Sequence, residues 1–413
     1  MATSVRGAMM VQATVAVALF VLALLAPEVA AQLGVLSSGC TADADCGPGL
    51  YCFSCEGAAP KCTANQALSL SSFAQTYSLP YNKYAWITTH NAYAIEGETS
   101  VLGAAIISPK NQEDTVTNQL NRGVRGLMLD IYEFKGDLWL CHSIGTCYDF
   151  TAFRPLNSTL LEISAFLAAN PNEVITIFIE DYVTTPFVLS NHFKATGLSK
   201  YMLPSTSMPK DGSDWPTVAS MIASNQRFVV FTSDSKKEAS EGIAYQWNYV
   251  VENQYGTLAE TCTNRAESSV LTDRTKSLIL ENYFPNDPNI TEACVINSGY
   301  LAQAITVCYA AAGNRWSNFL AVDFYKRSTS GGVFSAVDTL NGQHHCGCND
   351  IRLCQANGQG SCQIPAATYK ALLTPAQTPA PAPDSSSTYI TASKFSLRLT
   401  FFISFISFFH LGQ

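Results

Sequence analysis

The feature that most constrains the fold is a series of eight short apolar runs spread through residues 67–370, with polar or turn-forming segments between them. The runs cover residues 85–89, 126–129, 138–141, 174–179, 228–231, 249–251, 278–280 and 319–322. Short apolar runs bounded by turn signals are typical of buried strands, whereas the interval LLEISAFLAANPNE has helical spacing. Strands that alternate with helices predict a parallel sheet, and eight of them fit an α/β fold of the (β/α)8 TIM-type barrel class better than an open sheet.

An ionisable residue stands at or just after the carboxyl end of six of these runs. The six are His90, Asp130, His142, Glu180, Glu281 and Asp323. Because the carboxyl ends of barrel strands meet on one face, where active sites are built, we expect these side chains to converge. Histidine exchanges protons near neutral pH, so the group predicts acid/base chemistry. The alternative is that these groups only cap strand ends.

The two ends of the chain carry targeting signals. Residues 1–31 have Arg6, an apolar run and a small-residue ending, which predicts a cleaved signal peptide, with an anchor helix as the alternative. A Pro/Ser-rich linker (371–387) and an apolar tail (388–413) predict a glycosylphosphatidylinositol (GPI) attachment signal, with Ser385 or Ser386 as the attachment residue. A transmembrane helix is the alternative, but Arg398 interrupts the tail. We expect a protein anchored on the extracellular face of the plasma membrane.

Fourteen cysteines in an exported chain predict disulfides. Five lie between Cys40 and Cys62 and mark a small disulfide-rich module, residues 32–66, in which the odd cysteine pairs outside the module or stays free. Cys141 and Cys147 flank a short loop and could pair locally. A second cysteine-rich stretch (340–365) ends the barrel domain. Zinc binding is the alternative in both cysteine-rich stretches, but export of the protein favours disulfides.

Two further surface properties follow from the sequence. Asn157 and Asn289 each begin an Asn-X-Thr/Ser acceptor for N-glycosylation. The net charge of −8, from 24 basic and 32 acidic residues, argues against nucleic acid as a partner and against electrostatic recruitment to anionic lipid. We expect a monomer.

Four segments carry a family resemblance: His90-Asn91, RGVRGLMLD, the hairpin-like stretch before His142, and ITIFIED around Glu180. They resemble the X region of phosphatidylinositol-specific phospholipases C, phosphodiesterases with a distorted (β/α) barrel, over an X-type core of about residues 80–326. The whole chain is similar to plant secreted proteins that carry this domain with a cysteine-rich start and a lipid-anchored end.

The resemblance implies a mechanism in which the inositol 2-hydroxyl attacks phosphorus. His90 would be the general base on that hydroxyl, and His142 the general acid on the departing glycerol oxygen. Asp323 would hold His90 in its useful tautomer. Glu252 and Tyr255, in VVENQYG, would contact the substrate headgroup.

The resemblance also bears on a metal. Asn91, Asp130 and Glu180 match the calcium ligands of some members, but Met128 stands where another acidic ligand is expected. Asp130 also replaces the arginine of metal-free members, so Ca2+ is the more coherent cofactor. We expect Arg122 and Arg125 to point away from the site.

The sequence therefore predicts a phosphoric diester hydrolase of the phospholipase C type, with a phosphodiester lipid or headgroup as substrate. Two alternatives stay open. One is a glycerophosphodiester or sphingomyelin phosphodiesterase, and the other is a catalytically silent barrel that binds a cell-surface or wall component.

Overall fold

The computed structural model describes residues 36–66, 79–256, 260–329, 331–354 and 362. The expected signal peptide, the linker, and the anchor signal with Ser385 and Ser386 lie outside the described residues.

The described residues form twelve strands and eight α-helices. The strands are β1 (Leu50–Phe53), β2 (Lys61–Ala64), β3 (Trp86–Thr89), β4 (Val124–Phe134), β5 (Asp137–Cys141), β6 (Ala152–Pro155), β7 (Ile175–Tyr182), β8 (Phe228–Thr232), β9 (Ala244–Tyr245), β10 (Val250–Glu252), β11 (Leu278–Tyr283) and β12 (Phe319–Val322). The helices are α1 (Val116–Asn121), α2 (Leu156–Ala169), α3 (Val188–Ala195), α4 (Val218–Ala223), α5 (Lys236–Glu241), α6 (Ile290–Val295), α7 (Leu301–Ala311) and α8 (Gly332–Cys346). The helix expected in LLEISAFLAANPNE is α2.

Eight parallel strands form one curled sheet in the order β10-β11-β12-β3-β4-β7-β8-β9. Strand β3, the first of these eight along the chain, lies in the interior of the sheet. The two edge strands, β9 and β10, are consecutive in sequence. This architecture confirms the α/β barrel class. Close contact between β3 and β4 requires Gly126, because a Cβ atom there would lie 2.2 Å from Oγ1 of Thr88.

One of the eight predicted barrel strands is wrong. The run at residues 138–141 belongs to β5, which pairs antiparallel with β4 and with β6. The reason is the tight turn at Lys135 and Gly136, whose φ angles of 52° and 78° match the two-residue hairpins that reverse a strand. The eighth barrel strand is instead the two-residue β9, which is too short to stand out as an apolar run.

The two faces of the sheet bury different apolar clusters. Trp86, Phe178, Phe231, Leu280 and Phe319 come from five strands and meet in the cluster inside the barrel. Residues of the opposite phase pack outward with the helices in the main core. Because side chains alternate along a strand, each strand sends every second residue toward the barrel interior.

Seven disulfides pair all fourteen cysteines, which confirms disulfides over zinc. The pairs are Cys40–Cys52, Cys46–Cys62, Cys55–Cys294, Cys141–Cys147, Cys262–Cys308, Cys346–Cys354 and Cys348–Cys362. The odd cysteine of the module is Cys55, which joins the module to α6 of the barrel. The local pair Cys141–Cys147 is confirmed. All seven lie in a compact unit that ends at Ile364.

The longest apolar helical stretch among the described residues is Ile290–Ala311, which has the length and composition of a membrane span. It consists of α6, a π-helical turn at Ile296–Tyr300 and α7. Leu301, Ala304 and Ile305 belong to the main core, and Cys294 and Cys308 tie the stretch to other parts of the fold. These contacts are those of a core helix.

Candidate active site

A cavity of about 670 Å³ opens at the carboxyl ends of the barrel strands. Its lining includes the predicted residues His90, Asn91, Asp130, His142, Glu180, Glu252 and Tyr255, together with Met128. The strand residues among them occupy the alternate positions that point into the barrel. Met128 and Asp130 alternate with Leu127 and Leu129 of the outer core, and Glu180 follows Phe178 of the inner cluster. The period of two thus aims the carboxylates into the barrel mouth.

The imidazole of His90 is held on several sides. Its Nδ1 atom lies 3.0 Å from Oδ1 of Asp323 and 3.2 Å from Nδ2 of Asn111, which itself donates to the same Asp323 oxygen at 3.0 Å. The ring stacks on Phe284 with centroids 3.7 Å apart and an angle of 8°. Because Nδ1 donates to Asp323, Nε2 is the nitrogen left for proton exchange.

The backbone bends sharply just after each member of this pair. Asn91 and Phe324 follow His90 and Asp323 and have φ angles of 41° and 45°. A bulky residue rarely adopts this left-handed conformation, so neighbouring contacts must hold Phe324 in place. Its N–H donates to Asn111 O at 2.7 Å, and Nδ2 of Asn297, in the π-helical turn, donates to Asp323 O at 2.9 Å.

His142 lies at the end of β5, in the loop that the Cys141–Cys147 disulfide closes. Its Nδ1 donates to the carbonyl of Pro109 at 2.9 Å, and its own carbonyl accepts from Oγ of Ser108 at 2.6 Å. Nε2 is therefore left for the cavity. Burial lowers the pKa of His142, and the Pro109 carbonyl opposes that shift.

Asp130 and Glu180 are direct neighbours on β4 and β7. Burial, and then the charge of Glu180, raise the pKa of Asp130 well above its ordinary value. The side-chain amide of Asn91 lies between Asp130 and His90, with one terminal atom 3.1 Å from Oδ1 of Asp130 and the other 3.3 Å from Nε2 of His90. In the orientation that donates to Asp130, the amide oxygen accepts from Nε2 once His90 carries both ring protons. The hydroxyl of Tyr182 donates to Glu180. Two adjacent carboxylates and an amide thus share one side of the cavity.

Another part of the lining is built around an arginine that sequence reasoning missed. Among the described residues that line the cavity, Arg265 is the one lysine or arginine. It donates to Glu252 at 3.3 Å and to Glu267 at 2.9 Å. Its guanidinium lies 5.7 Å from the ring centroids of both Trp247 and Tyr255.

The predicted headgroup contacts Glu252 and Tyr255 both reach the cavity, and their role stays a prediction. Glu252 is fully buried, and burial raises its pKa. Besides Arg265, its carboxylate accepts from three other side-chain donors. These are Nε2 of Gln246, Nε1 of Trp247 and Nδ2 of Asn282. Tyr255 is partly exposed and stacks on Phe284, which in turn stacks on His90.

Glu281 is not part of the cavity lining, so its predicted convergence with the others is wrong. Strand β11 continues to Tyr283, and Glu281 has the phase of Ile279, which packs outside the barrel. Its Oε2 accepts from Oγ of Ser317, and burial raises its pKa to about 7. The predicted run ends at Leu280, which points into the barrel, so the next residue, Glu281, points outward.

Arg122 and Arg125 point away from the cavity, as expected. Arg125 lies 2.9 Å from Glu173, and Arg122 donates to Asn65 O. The two glycosylation acceptors lie elsewhere as well, and their modification stays a prediction. Asn289 is exposed and caps α6, whereas Oδ1 of Asn157 accepts from His192 at 2.7 Å.

Three functional neighbours were missed because none directly follows one of the predicted apolar runs. Asn111 belongs to the polar segment KNQED, in which Gln112 also contacts the site by donating to His90 O at 2.9 Å. Phe284 follows β11 by one residue and shares the inward phase of Leu280. Arg265 lies in the long segment after β10, where no sequence pattern marks it.

Comparisons with known proteins identify the family of this chain. The model of the PI-PLC X domain matches residues 78–341. A PI-PLC X domain-containing protein of Arabidopsis thaliana is 47% identical over 336 residues, covering 79% of this chain and 78% of that protein. An uncharacterized secreted protein of Arthroderma benhamiae is 29% identical over 257 residues, 56% of each chain.

Among solved structures, a double mutant of the phosphatidylinositol-specific phospholipase C of S. aureus has a TM-score of 0.44. It is 14% identical and covers 64% of this chain and 94% of that chain. The enzyme from Listeria monocytogenes has a TM-score of 0.39 at 15% identity, covering 60% and 93%. The X domain match and the 47% identity over most of both chains decide the family: the chain belongs to the PI-PLC X domain family.

Proposed function

We propose that this protein is a phosphoric diester hydrolase of the phospholipase C type. The observation that supports this most is the placement of His90 and His142 on one cavity, each with Nδ1 engaged and Nε2 left for proton exchange. Two imidazoles around one phosphate provide a base for the attacking oxygen and an acid for the leaving oxygen.

In the proposed reaction, a hydroxyl next to the phosphodiester attacks phosphorus. His90 accepts the hydroxyl proton on Nε2, and Asp323 stabilises the resulting imidazolium through Nδ1. A new P–O bond forms, and the P–O bond to the leaving alcohol breaks. His142 gives its Nε2 proton to that alcohol. Burial lowers the pKa of His142, and the anionic phosphate bound beside it would raise that pKa and supply the protonated form.

We propose Ca2+ as the cofactor, held by Asn91, Asp130 and Glu180. The donors fit, because Asp130 and Glu180 offer adjacent carboxylates and Asn91 offers its amide oxygen when the amide is turned toward Asp130. The charge of Glu180 also helps to raise the pKa of Asp130. A bound cation would relieve that repulsion and neutralise charge on the phosphate. Met128 supplies no oxygen, so the set is one carboxylate short of the expected number.

The substrate we favour is a phosphoinositol lipid or a related phosphodiester. Arg265 is the single lysine or arginine among the described lining residues, beside the acids Asp130, Glu180 and Glu252. This charge balance suits an uncharged polyol headgroup better than one that carries extra phosphates, which would need several cations. Arg265 and Tyr255 lie on the side where such a headgroup could bind.

We also propose export and GPI anchoring, on the sequence signals at both ends. Seven disulfides support export, because disulfides persist in oxidising compartments. The substrate would then be an outer-leaflet or extracellular phosphodiester.

The test is hydrolysis of phosphatidylinositol by the purified unit that ends at Ile364, with calcium and then with excess chelator. Phosphorus NMR follows the products. Cyclic inositol phosphate that disappears with chelator is the expected result. Turnover of glycerophosphodiesters or sphingomyelin without a cyclic product would replace this proposal with the other phosphodiesterase activity. No turnover of any of these substrates would contradict enzymatic function and favour a silent binding barrel, for which Met128 is the supporting observation.

A further inference from the structure

A short polar segment before α1, residues 111–114, fixes the ends of two barrel strands. Its first two residues, Asn111 and Gln112, are fully buried. Nε2 of Gln112 donates to His90 O at 2.9 Å and to Val322 O at 3.0 Å, so one side chain joins the ends of β3 and β12. Asn111 adds a bond of 3.0 Å to the Asp323 carboxylate. The geometry of the His90–Asp323 pair therefore depends on where the polar segment lies.

The next two residues of the polar segment, Glu113 and Asp114, are bound by cations that follow β12 in the chain. Nε of Arg327 lies 2.9 Å from Oε2 of Glu113, and Nζ of Lys326 lies 3.0 Å from Oδ1 of Asp114. The four side chains are between 12% and 28% exposed, so water and salt screen their attraction less than they would at an open surface. These ion pairs tie the polar segment to the chain that leads out of β12.

The disulfide-rich module contacts the same stretch through its hairpin of β1 and β2. The guanidinium of Arg327 lies 5.4 Å from the ring centroid of Phe53. Oγ1 of Thr63 donates to Ser328 O at 3.4 Å. Two disulfides inside the module and one to α6 hold the hairpin in place. A braced hairpin thus lies against the chain that leads out of β12.

A second contact from the module reaches the polar segment through Arg122. This arginine donates to Asn65 O at 2.9 Å, and its Nε lies 3.7 Å from Oδ2 of Asp114. Glu113 is bound in the same manner by Arg327, which packs on the module. Each acid of the polar segment therefore faces an arginine that also touches the module.

We propose that the disulfide-rich module positions the His90–Asp323 pair, and that Arg327 and Glu113 are the positioning residues that connect the two. None of the described module residues lines the cavity, so the module acts on the pair through the polar segment and not by contact with substrate. Loss of these contacts would let the polar segment shift and would change how Asp323 meets Nδ1 of His90. The proposal rests on the proposed function for the catalytic role of His90, but the hydrogen bond itself can be measured without catalysis.

The experiment replaces Arg327 with Gln in the unit that ends at Ile364. Steady-state kinetics on phosphatidylinositol should show kcat lowered by roughly 2- to 30-fold, with KM within about twofold of the wild type. Glu113→Gln should act in the same direction, and the double variant should lose less than the product of the two single losses, because both changes break one ion pair. The matched control is Arg352→Gln, since Arg352 also forms an ion pair, with Asp350, and lies outside the cavity lining.

A second pair of variants tests the module itself. Phe53→Leu with Thr63→Val keeps both side chains apolar and removes the two hairpin contacts, so it should also lower kcat. Its control is Glu56→Gln, an exposed change in the same module. The proton NMR signal of Nδ1–H of His90, assigned with His90→Gln, should shift in the Arg327 and hairpin variants and stay in place in both controls. Thermal melting gives the folded fraction of each protein.

An Arg327→Gln protein that melts earlier but keeps the wild-type kcat and Nδ1 signal would overturn the proposal, because the contacts would then only stabilise the fold. A hairpin variant that behaves like Glu56→Gln would overturn it as well. If the wild type hydrolyses none of the substrates, a shifted Nδ1 signal in the variants would uphold positioning and reject the enzymatic proposal alone. Wild-type hydrolysis that neither variant changes would do the reverse.

Discussion

Nδ1 of His90 lies 3.0 Å from Oδ1 of Asp323, although 233 residues separate them in sequence. They meet because β3 and β12 are hydrogen-bonded neighbours whose ends coincide in register, with Thr89 opposite Val322. Asn111 donates to the same Asp323 oxygen and locks the pair from a third segment.

Replacing Asp323 with Asn should lower kcat by about 100- to 10,000-fold with little change in KM. The neutral amide has no charge to stabilise the His90 imidazolium, and its NH2 group can donate to Nδ1, which favours the wrong tautomer. Asp323 itself does not line the cavity, so substrate binding should change little. Steady-state kinetics on phosphatidylinositol would measure this, and thermal melting would check the fold. A rise in KM at constant kcat would contradict the positioning role.

Replacing His142 with Ala should abolish measurable hydrolysis. The expected loss of rate is about 100- to 10,000-fold, because the leaving oxygen must then depart without a proton. The control is His192→Gln, because His192 contacts Asn157 and Asp137 away from the cavity. Activity would be measured on the same lipid. An active His142→Ala enzyme would remove this residue from the mechanism.

Replacing Met128 with Asp should tighten Ca2+ binding by roughly tenfold, because a third carboxylate joins Asp130 and Glu180 in the cavity. Isothermal calorimetry measures this without any need for catalysis. Met128→Leu keeps the volume and adds no oxygen, so it should match the wild type. If the Asp variant bound calcium no better than the Leu variant, the metal would not sit beside residue 128.

The pH dependence of stability should change in the variant Glu281→Gln. Burial raises the folded-state pKa of Glu281 from 4.5 to about 7, so the folded protein binds a proton that the unfolded chain releases in this window. The contribution of Glu281 to stability is therefore full below pH 4.5 and falls by about 3 kcal/mol as the pH rises to 7. Urea unfolding at several pH values should show a slope in this window that is smaller by that amount in the variant than in the wild type, because other buried acids such as Asp338 keep their share. The exposed-acid control Glu292→Gln should keep the wild-type slope.

Two disulfides that close loops of very different length should differ in their effect on stability. Cys55 and Cys294 are 239 residues apart, whereas Cys141 and Cys147 are 6 apart. On a loop-entropy basis, replacing the first pair with serine should cost about 5 kcal/mol and replacing the second about 2 kcal/mol. Denaturant titrations of the two double variants would compare them. Equal losses would mean that the entropy of the unfolded chain does not govern how much each disulfide stabilises the fold.

Several features follow from local pattern in the sequence. Alternating strand and helix signals, with seven of the eight predicted barrel strands confirmed, point to the barrel. The period of two along β4 and β7 sends Asp130 and Glu180 inward, and the carboxyl ends of parallel strands lie on one face. For that reason the convergence of His90, Asp130, Glu180 and Asp323 could be predicted from the sequence.

Other features depend on how distant segments meet, and only the tertiary structure decided them. Whether residues 138–141 join the barrel depends on the turn at Lys135 and Gly136, and the outward direction of Glu281 depends on where β11 ends. Arg265, Phe284 and Asn111 reach the site from segments without a strand pattern. Sequence periodicity reports the environment of a residue along its own element, whereas these contacts arise from closure of the sheet, which places residues hundreds of positions apart within hydrogen-bonding distance.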